Sequence, residues 1–346
     1  MLDYNANVLL IYTGGTIGMI EDPVSGILKP FDFDYLKAYV PELHRLKFNI
    51  DSIAFEHPID SSDMGIDDWK KIVQMIEAHY EKYDGFVILH GTDTMAYSAS
   101  ILSFMLENLS KPVILTGSQL PIGKMRTDGR ENLITALEIA VDKDSEGNAF
   151  VPEVCIFFQN LLMRGNRTTK VNTDNFNAFN SFNYPILAEA GTHIKYEHHR
   201  IHHPAKNATP QFHCYLNPNV TILKLFPGIS DHCVKAIFTN PYLKGVVLET
   251  FGAGNSPSHP SFLAIIEEAV KKGIVIVNVT QCASGVVEPD RYQGGTALKN
   301  RGVLSGYDIT TEAAVTKLMF LFGYGLTSEE VKERMQASIA GEITLS

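Results

Sequence analysis

The segment Val8-Leu9-Leu10-Ile11-Tyr12-Thr13-Gly14-Gly15-Thr16-Ile17-Gly18 reads as a short buried strand that runs into a glycine turn. Val8–Tyr12 is apolar without alternation, as in strands covered on both faces of a parallel sheet. Gly14 and Gly15 permit a tight turn and close approach by a second backbone or a ligand. Similar runs return at Phe86–His90, Pro112–Thr116 and Glu153–Phe158. Helical periodicities lie between them. Trp69, Ile72, Val73, Ile76 and Tyr80 recur at helical spacing after Asp67 and Asp68, acids suited to a helix start. Thr94–Asn108 and Gly129–Val141 read as further helices. This alternation predicts an α/β fold whose larger N-terminal sheet is open, mostly parallel and flanked by helices.

Gly191–Pro218 breaks the pattern. It holds His193, His198, His199, His202, His203 and His213 with prolines and little periodicity, and reads as a linker. The histidine spacing matches no standard metal-ligand set, so no metal is expected. After Pro218 the alternation resumes. Val220–Leu225, Gly245–Thr250 and Ile274–Val279 read as strands, and Ser230–Thr239, Pro260–Lys272, Thr310–Phe322 and Ser328–Ala337 as helices. The expected organisation is an N-terminal α/β domain over 1–192 carrying the reactive loops, a linker over 193–218, and a smaller C-terminal α/β domain with a parallel sheet over 219–346.

Composition narrows the function. A chain of 346 residues fits two domains, and 45% hydrophobic with 20% charged residues marks a globular protein. A formal net charge of −10 disfavours nucleic acid as a partner. The longest apolar runs are short, such as Ile274–Val277, and none approaches the roughly 20 residues that span a bilayer. The N-terminus lacks a basic start with a long apolar stretch, which points to a cytoplasmic protein. Cys155, Cys214, Cys233 and Cys282 form no CxxC pair and read as reduced thiols.

Sites in open parallel sheets form at the carboxyl ends of strands. Two threonine loops fall there: Thr13-Gly14-Gly15-Thr16 and His90-Gly91-Thr92-Asp93-Thr94. Glycine turns leave backbone N–H groups to face developing negative charge, and a helix N-terminus would keep Asp93 ionised. The first loop has neither GxGxxG nor P-loop spacing. Thr92-Asp93-Thr94 also suits simple helix capping. Gly117-Ser118-Gln119 lacks the elbow spacing of a serine hydrolase. A threonine hydroxyl needs its proton removed before it attacks. Lys170, in Arg164-Gly-Asn-Arg-Thr-Thr-Lys170, is a candidate for that work, with a surface loop lysine as the alternative.

Thr13–Gly18, His90–Thr94 and Thr168–Lys170 resemble, in order and spacing, the signature segments of bacterial-type L-asparaginases. The similarity extends through Leu115–Pro121, Arg126–Asn132 and Gly252–Asn255, and looks like the cytoplasmic type I branch. The resemblance implies cleavage of L-asparagine to L-aspartate and ammonia, without metal or cofactor. It implies that Thr16 is the nucleophile of an acyl-enzyme and that Thr92, Asp93 and Lys170 form a second catalytic set. Lys170 would tune the Thr92 hydroxyl, and Asp93 would hold the substrate's α-ammonium. Asp60, Ser61 and Ser62 match the segment that binds the α-carboxylate, with Gly15 beside the substrate. Asn255 matches a residue that reaches a neighbouring subunit's site, in a homodimer or dimer of dimers. Arg126, Asp128 and Arg130 are expected to pin a loop. Met19–Asp34 contains no tyrosine, whereas many family members carry one there. Tyr292 resembles the tyrosine that serves in its place and is expected to assist Thr16. Some type I relatives bind asparagine at a separate interface site anchored by an arginine. Glu249 stands at the matching position, which implies weak or absent cooperativity, although Thr169 suits that site. The rival readings are a glutaminase-leaning enzyme and the glutamine-amidase subunit of a tRNA-dependent amidotransferase. That subunit carries a further domain before its glycine motif, which the early Thr16 disfavours. A non-catalytic amino-acid sensor on the same scaffold is disfavoured by the joint presence of Thr16, Thr92, Asp93 and Lys170.

Overall fold

A computed structural model describes residues 6–18, 20–21, 28–29 and 33–345. The chain divides into two compact units, Met1–Cys214 and Tyr215–Ser346.

In the first unit eight strands form one sheet. They are β1 (Asn7–Gly14), β2 (Asn49–Ile59), β3 (Gly85–Leu89), β4 (Val113–Thr116), β5 (Val154–Phe158), β6 (Leu161–Arg164), β7 (Ala188–Ala190) and β8 (Ile194–Tyr196). Their order across the sheet is β8-β7-β6-β5-β4-β3-β1-β2. Pairing is parallel from β2 through β1, β3 and β4 to β5, and antiparallel from β5 to β8. The fold class is the expected one: a large, mostly parallel sheet with flanking helices. Residues 8–11 of β1 are wholly buried, the consequence of lying inside the sheet with both faces covered. Val8, Leu10 and Tyr12 join Leu133, Ala136 and Leu137 of the Gly129–Val141 helix in one core cluster. Each fully buried aliphatic side chain there contributes about 1.5–3 kcal/mol relative to exposure.

The strand β2 was not legible as a strand. Its sequence, Asn49-Ile-Asp-Ser-Ile-Ala-Phe-Glu-His-Pro-Ile59, is polar and largely exposed because it forms the sheet edge. An edge also tolerates Pro58, which has no N–H to donate. The β1–β2 register shifts between Tyr12 and Gly14, so Gly14 pairs with Ile59 just where both strands end.

The histidine-rich stretch, expected as a linker, is packed on the first unit as far as Cys214. Ile194–Tyr196 is the edge strand β8, and Ile201 is buried in the core cluster. Gln211–Phe212 pairs with Leu106–Glu107, and the Phe212 ring meets Tyr80 edge-on at 5.3 Å. Single apolar anchors and backbone pairing hold it, which is why periodicity did not reveal it.

In the second unit β9 (Val220–Lys224), β10 (Gly245–Thr250), β11 (Val275–Thr280) and β12 (Leu304–Ser305) form a parallel sheet in that order. The helices Asp231–Phe238, Thr311–Gly323 and Ser328–Met335 begin with capping hydroxyls from Ser230, Thr310 and Thr327. Phe262, Ile266, Leu248 and Ile276 sit in its core. Among the described residues no helix is long and apolar enough to cross a membrane, and all four cysteines are free.

Candidate active site

Four neighbouring parallel strands, β2, β1, β3 and β4, end side by side. Their ends deliver Asp60-Ser61-Ser62, Gly15-Thr16, His90–Thr94 and Gly117-Ser118-Gln119 to one rim. Only glycine fits the floor between them. Gly14 and Gly15 have φ of 139° and 87°, a region that favours glycine. A Cβ on Gly15 would run into the backbone of Gly91, and one on Gly91 would lie 2.5 Å from Ser61 Oγ. Two loops thus meet almost backbone to backbone, and the third packs on them through the Ser61 side chain. Thr94 Oγ1 donates to Ser61 O at 2.6 Å, and Thr13 Oγ1 donates to Leu89 O at 3.0 Å. Thr13 is therefore a buried tie between strands, and Thr16 is left as the half-buried hydroxyl opening a 3-10 turn, Thr16–Gly18.

The second threonine is held by two partners, Lys170 and Gln119. Lys170 Nζ donates to Thr92 Oγ1 at 2.8 Å and to Asp93 Oδ1 at 2.6 Å. Thr92 Oγ1 donates to Gln119 Oε1 at 3.2 Å. The Lys170 side chain is 14% exposed and Asp93 is 66% exposed. An ammonium this close stabilises a developing alkoxide on Thr92, while the Asp93 carboxylate keeps an open side for a cation. Capping is not what these side chains do: the Met95–Met105 helix has no side-chain cap bond at Thr94. Nor is Lys170 a surface loop lysine. It lies on a two-residue strand, Thr169–Lys170, paired with Phe179–Asn180. The turn before it is clamped from below. Arg164 Nε meets Glu153 Oε2 at 2.6 Å, both buried, and the Arg164 and Arg167 guanidiniums stack on Tyr184 at 4.4 and 5.2 Å.

Around this pair the rim is fixed by carboxylates. Asp60 Oδ1 accepts from the Ser62 N–H and hydroxyl, each at 2.9 Å, which holds its carboxyl below the usual range. Ser61 is buried under Gly91, and Ser62 is exposed. Both Asp128 oxygens accept from the Gln119 N–H, at 3.1 and 3.0 Å, so Asp128 pins that loop as expected. Gln119 Nε2 donates to Asn175 O at 3.1 Å. Sequence reasoning missed Gln119 because it weighed Gly117-Ser118-Gln119 only as a serine elbow; its place at a strand end was the available signal.

Two buried groups sit behind the loops. His90 Nδ1 lies 2.6 Å from Gly91 O and its Nε2 lies 2.8 Å from Ser98 Oγ. Burial pushes its imidazole down to about 4. The Tyr12 hydroxyl donates to Gly15 O at 3.4 Å, and burial pushes it up to about 12, which makes it a poor base at neutral pH.

Asn255 and Tyr292 belong to the second unit. Asn255 closes the turn from Phe251, and its Oδ1 accepts from Ser256 N at 3.1 Å. Tyr292 is exposed at the start of the Gln293–Lys299 helix, with the Arg291 guanidinium 5.6 Å from its ring. Glu249 accepts from Thr311 Oγ1 at 2.6 Å and faces Lys224 Nζ at 3.4 Å. Of Met19–Asp34, the segment without a tyrosine, Ile20–Glu21 pairs antiparallel with Leu28–Lys29, and most of the remainder lies outside the described residues.

Comparison with known proteins matches this architecture end to end. The family model for the N-terminal domain of asparaginase matches residues 7–202, and that for the glutaminase/asparaginase C-terminal domain matches 219–335. L-asparaginase 1 of Escherichia coli (strain K12) is 44% identical over 353 residues, covering 98% of each chain. The 60 kDa lysophospholipase of Mus musculus is 42% identical over 98% of this chain, which spans 62% of that protein's length. The crystal structure of L-asparaginase I from Vibrio cholerae O1 biovar eltor str. N16961 superposes with a TM-score of 0.89 at 42% identity, covering 99% of this chain and 100% of the other. The chain belongs to the asparaginase family of amidohydrolases.

Proposed function

We propose that this protein hydrolyses L-asparagine to L-aspartate and ammonia, with Thr16 as the attacking group. The observation that carries the reading is the Lys170–Thr92 contact of 2.8 Å at a strand-end rim whose neighbouring loop presents Thr16. Thr16 Oγ attacks the side-chain amide carbon, the C–N bond breaks, and ammonia leaves an acyl-enzyme that water then opens. Asp93 receives the α-ammonium on its open side. The Asp60-Ser61-Ser62 segment receives the α-carboxylate through its hydroxyl and backbone donors, with the Ser62 N–H and hydroxyl turning from Asp60 Oδ1 to do so. Gly15 lies under the substrate, and Lys170 holds the Thr92 oxygen ready to shuttle a proton or orient the water. Tyr292 assists Thr16, and Asn255 reaches the site of a neighbouring subunit in a homodimer or dimer of dimers. The protein works in the cytoplasm. The whole-length similarity to a protein named L-asparaginase 1 favours asparagine over glutamine as substrate, although one methylene separates the two by only about 1–3 kcal/mol.

Steady-state ammonia release against asparagine and glutamine concentration tests the reading, with Thr16→Ala beside the parent protein. Release from asparagine that disappears in Thr16→Ala is expected. Undiminished release in Thr16→Ala would remove Thr16 as nucleophile. Aspartate binding without turnover would favour the sensor.

A further inference from the structure

Behind the Thr92 loop runs a chain of buried polar groups that the proposed chemistry does not use. Trp69 Nε1 lies 2.9 Å from Ser98 Oγ, Ser98 Oγ lies 2.8 Å from His90 Nε2, and His90 Nδ1 lies 2.6 Å from Gly91 O. Ser98 and His90 are fully buried, and Trp69 nearly so. Each end of this chain has one polarity. An indole N–H only donates, and a peptide carbonyl only accepts. Ser98 therefore accepts from Trp69 and spends its one proton on His90 Nε2. That nitrogen is then an acceptor, and the ring proton sits on Nδ1, facing the Gly91 carbonyl. The other tautomer would set a nitrogen lone pair against the carbonyl oxygen. A doubly protonated ring would leave the Ser98 proton without its acceptor.

We propose that His90, held in its Nδ1–H tautomer by Ser98 and Trp69, is a positioning residue that fixes the Gly91–Thr92 peptide and so aims the Thr92 hydroxyl. The inference rests on Thr92 belonging to the site, as proposed above. The peptide is planar and trans, so fixing the Gly91 carbonyl fixes the plane from which Thr92 departs. Gly91 has no side chain of its own to hold that plane, and its open face meets Gly15 and Ser61. The burial that keeps the ring uncharged makes the arrangement insensitive to pH near neutrality. A small rotation of the peptide would move the Thr92 oxygen away from Lys170 and Gln119 without removing any group that binds substrate.

The test pairs a spectrum with kinetics. The full-length protein labelled with ¹⁵N-histidine is compared with His90→Asn, which identifies the His90 resonances by their loss. The wild type is expected to show a protonated Nδ1 and a bare Nε2 for His90, and Ser98→Ala to release the second tautomer. Asn places an amide N–H near the Nδ1 position. His90→Asn is therefore expected to retain more turnover than His90→Leu, whose kcat falls about 100-fold with KM for asparagine little changed. A wild-type His90 protonated on Nε2 would overturn the proposal, as would equal kcat values for His90→Asn and His90→Leu. If Thr16→Ala keeps full ammonia release, the functional reading fails on its own, and the tautomer spectrum still decides whether the lock exists.

Discussion

Lys170 reaches Thr92 across 78 residues of sequence, with Nζ 2.8 Å from Oγ1. The contact joins a strand end to a segment clamped by the buried Arg164–Glu153 pair, so it is built from two independent anchors. Lys170→Met keeps most of the side-chain bulk and removes the charge. Its kcat for ammonia release is expected to fall by about 10²–10⁴-fold, the range for loss of a positioned proton-transfer group. A far-ultraviolet spectrum and a melt should show the fold retained.

Tyr292 is exposed at a helix start, with the Arg291 guanidinium beside its ring. Tyr292→Phe removes only the hydroxyl. The expected outcome is a turnover loss of about 10-fold or more, as for a group that helps move a proton. Wild-type turnover in this variant would end its assignment and return the search for the activator of Thr16 to other residues.

His90 ties stability to acid. Its ordinary value of 6.5 is lowered to about 4 by burial, so the unfolded chain binds a proton through that window that the folded chain refuses. The stabilisation is fully present above about 6.5 and is lost as pH falls toward 4, a difference of about 3 kcal/mol. Urea unfolding near neutral pH and at about pH 4.5 should show wild type losing more stability on acidification than His90→Asn.

In the second unit Lys317 and Glu342 are both 0% exposed, with Nζ 2.6 Å from Oε1. Lys317 also donates to Ala337 O, and Glu342 accepts from the Ile339 and Ala340 N–H groups. Glu342→Ala leaves a buried ammonium without its counter-charge, at a cost of about 3–5 kcal/mol. A double exchange of Lys317→Met with Glu342→Leu should recover much of that loss in denaturant melts.

Glu249 points to simple kinetics. Its carboxylate is occupied by Thr311 and Lys224, and the family resemblance implies that it stands where an arginine would anchor an effector. The asparagine saturation curve is expected to be hyperbolic. A sigmoidal curve would show that an effector site survives without that arginine.

How far the sequence carried depended on how each element is stabilised. Strands buried on both faces, such as β1 and β3, announce themselves as apolar runs. The edge strand β2 does not, because half its surface faces water, and with it went the neighbour relation that sets Ser61 beneath Gly91. The packing of the histidine-rich stretch leaves no pattern for a similar reason: β8 and Phe212 are held by pairing and single anchors. Thr16, Thr92, Asp93 and Lys170 were legible as motifs. That Gln119 accepts the Thr92 proton was not, since a side-chain bond spanning 27 residues leaves no periodic trace.

The glycine floor also limits how the site can be reshaped. Where the Gly15 and Gly91 backbones meet and the Ser61 hydroxyl packs against Gly91, there is no room for a larger side chain. A longer amide can gain room only at the rim, at exposed Ser62 and Asp93 or at Gln119. Efforts to trade asparagine for glutamine should therefore leave the bottom of the site alone and rebuild its edge.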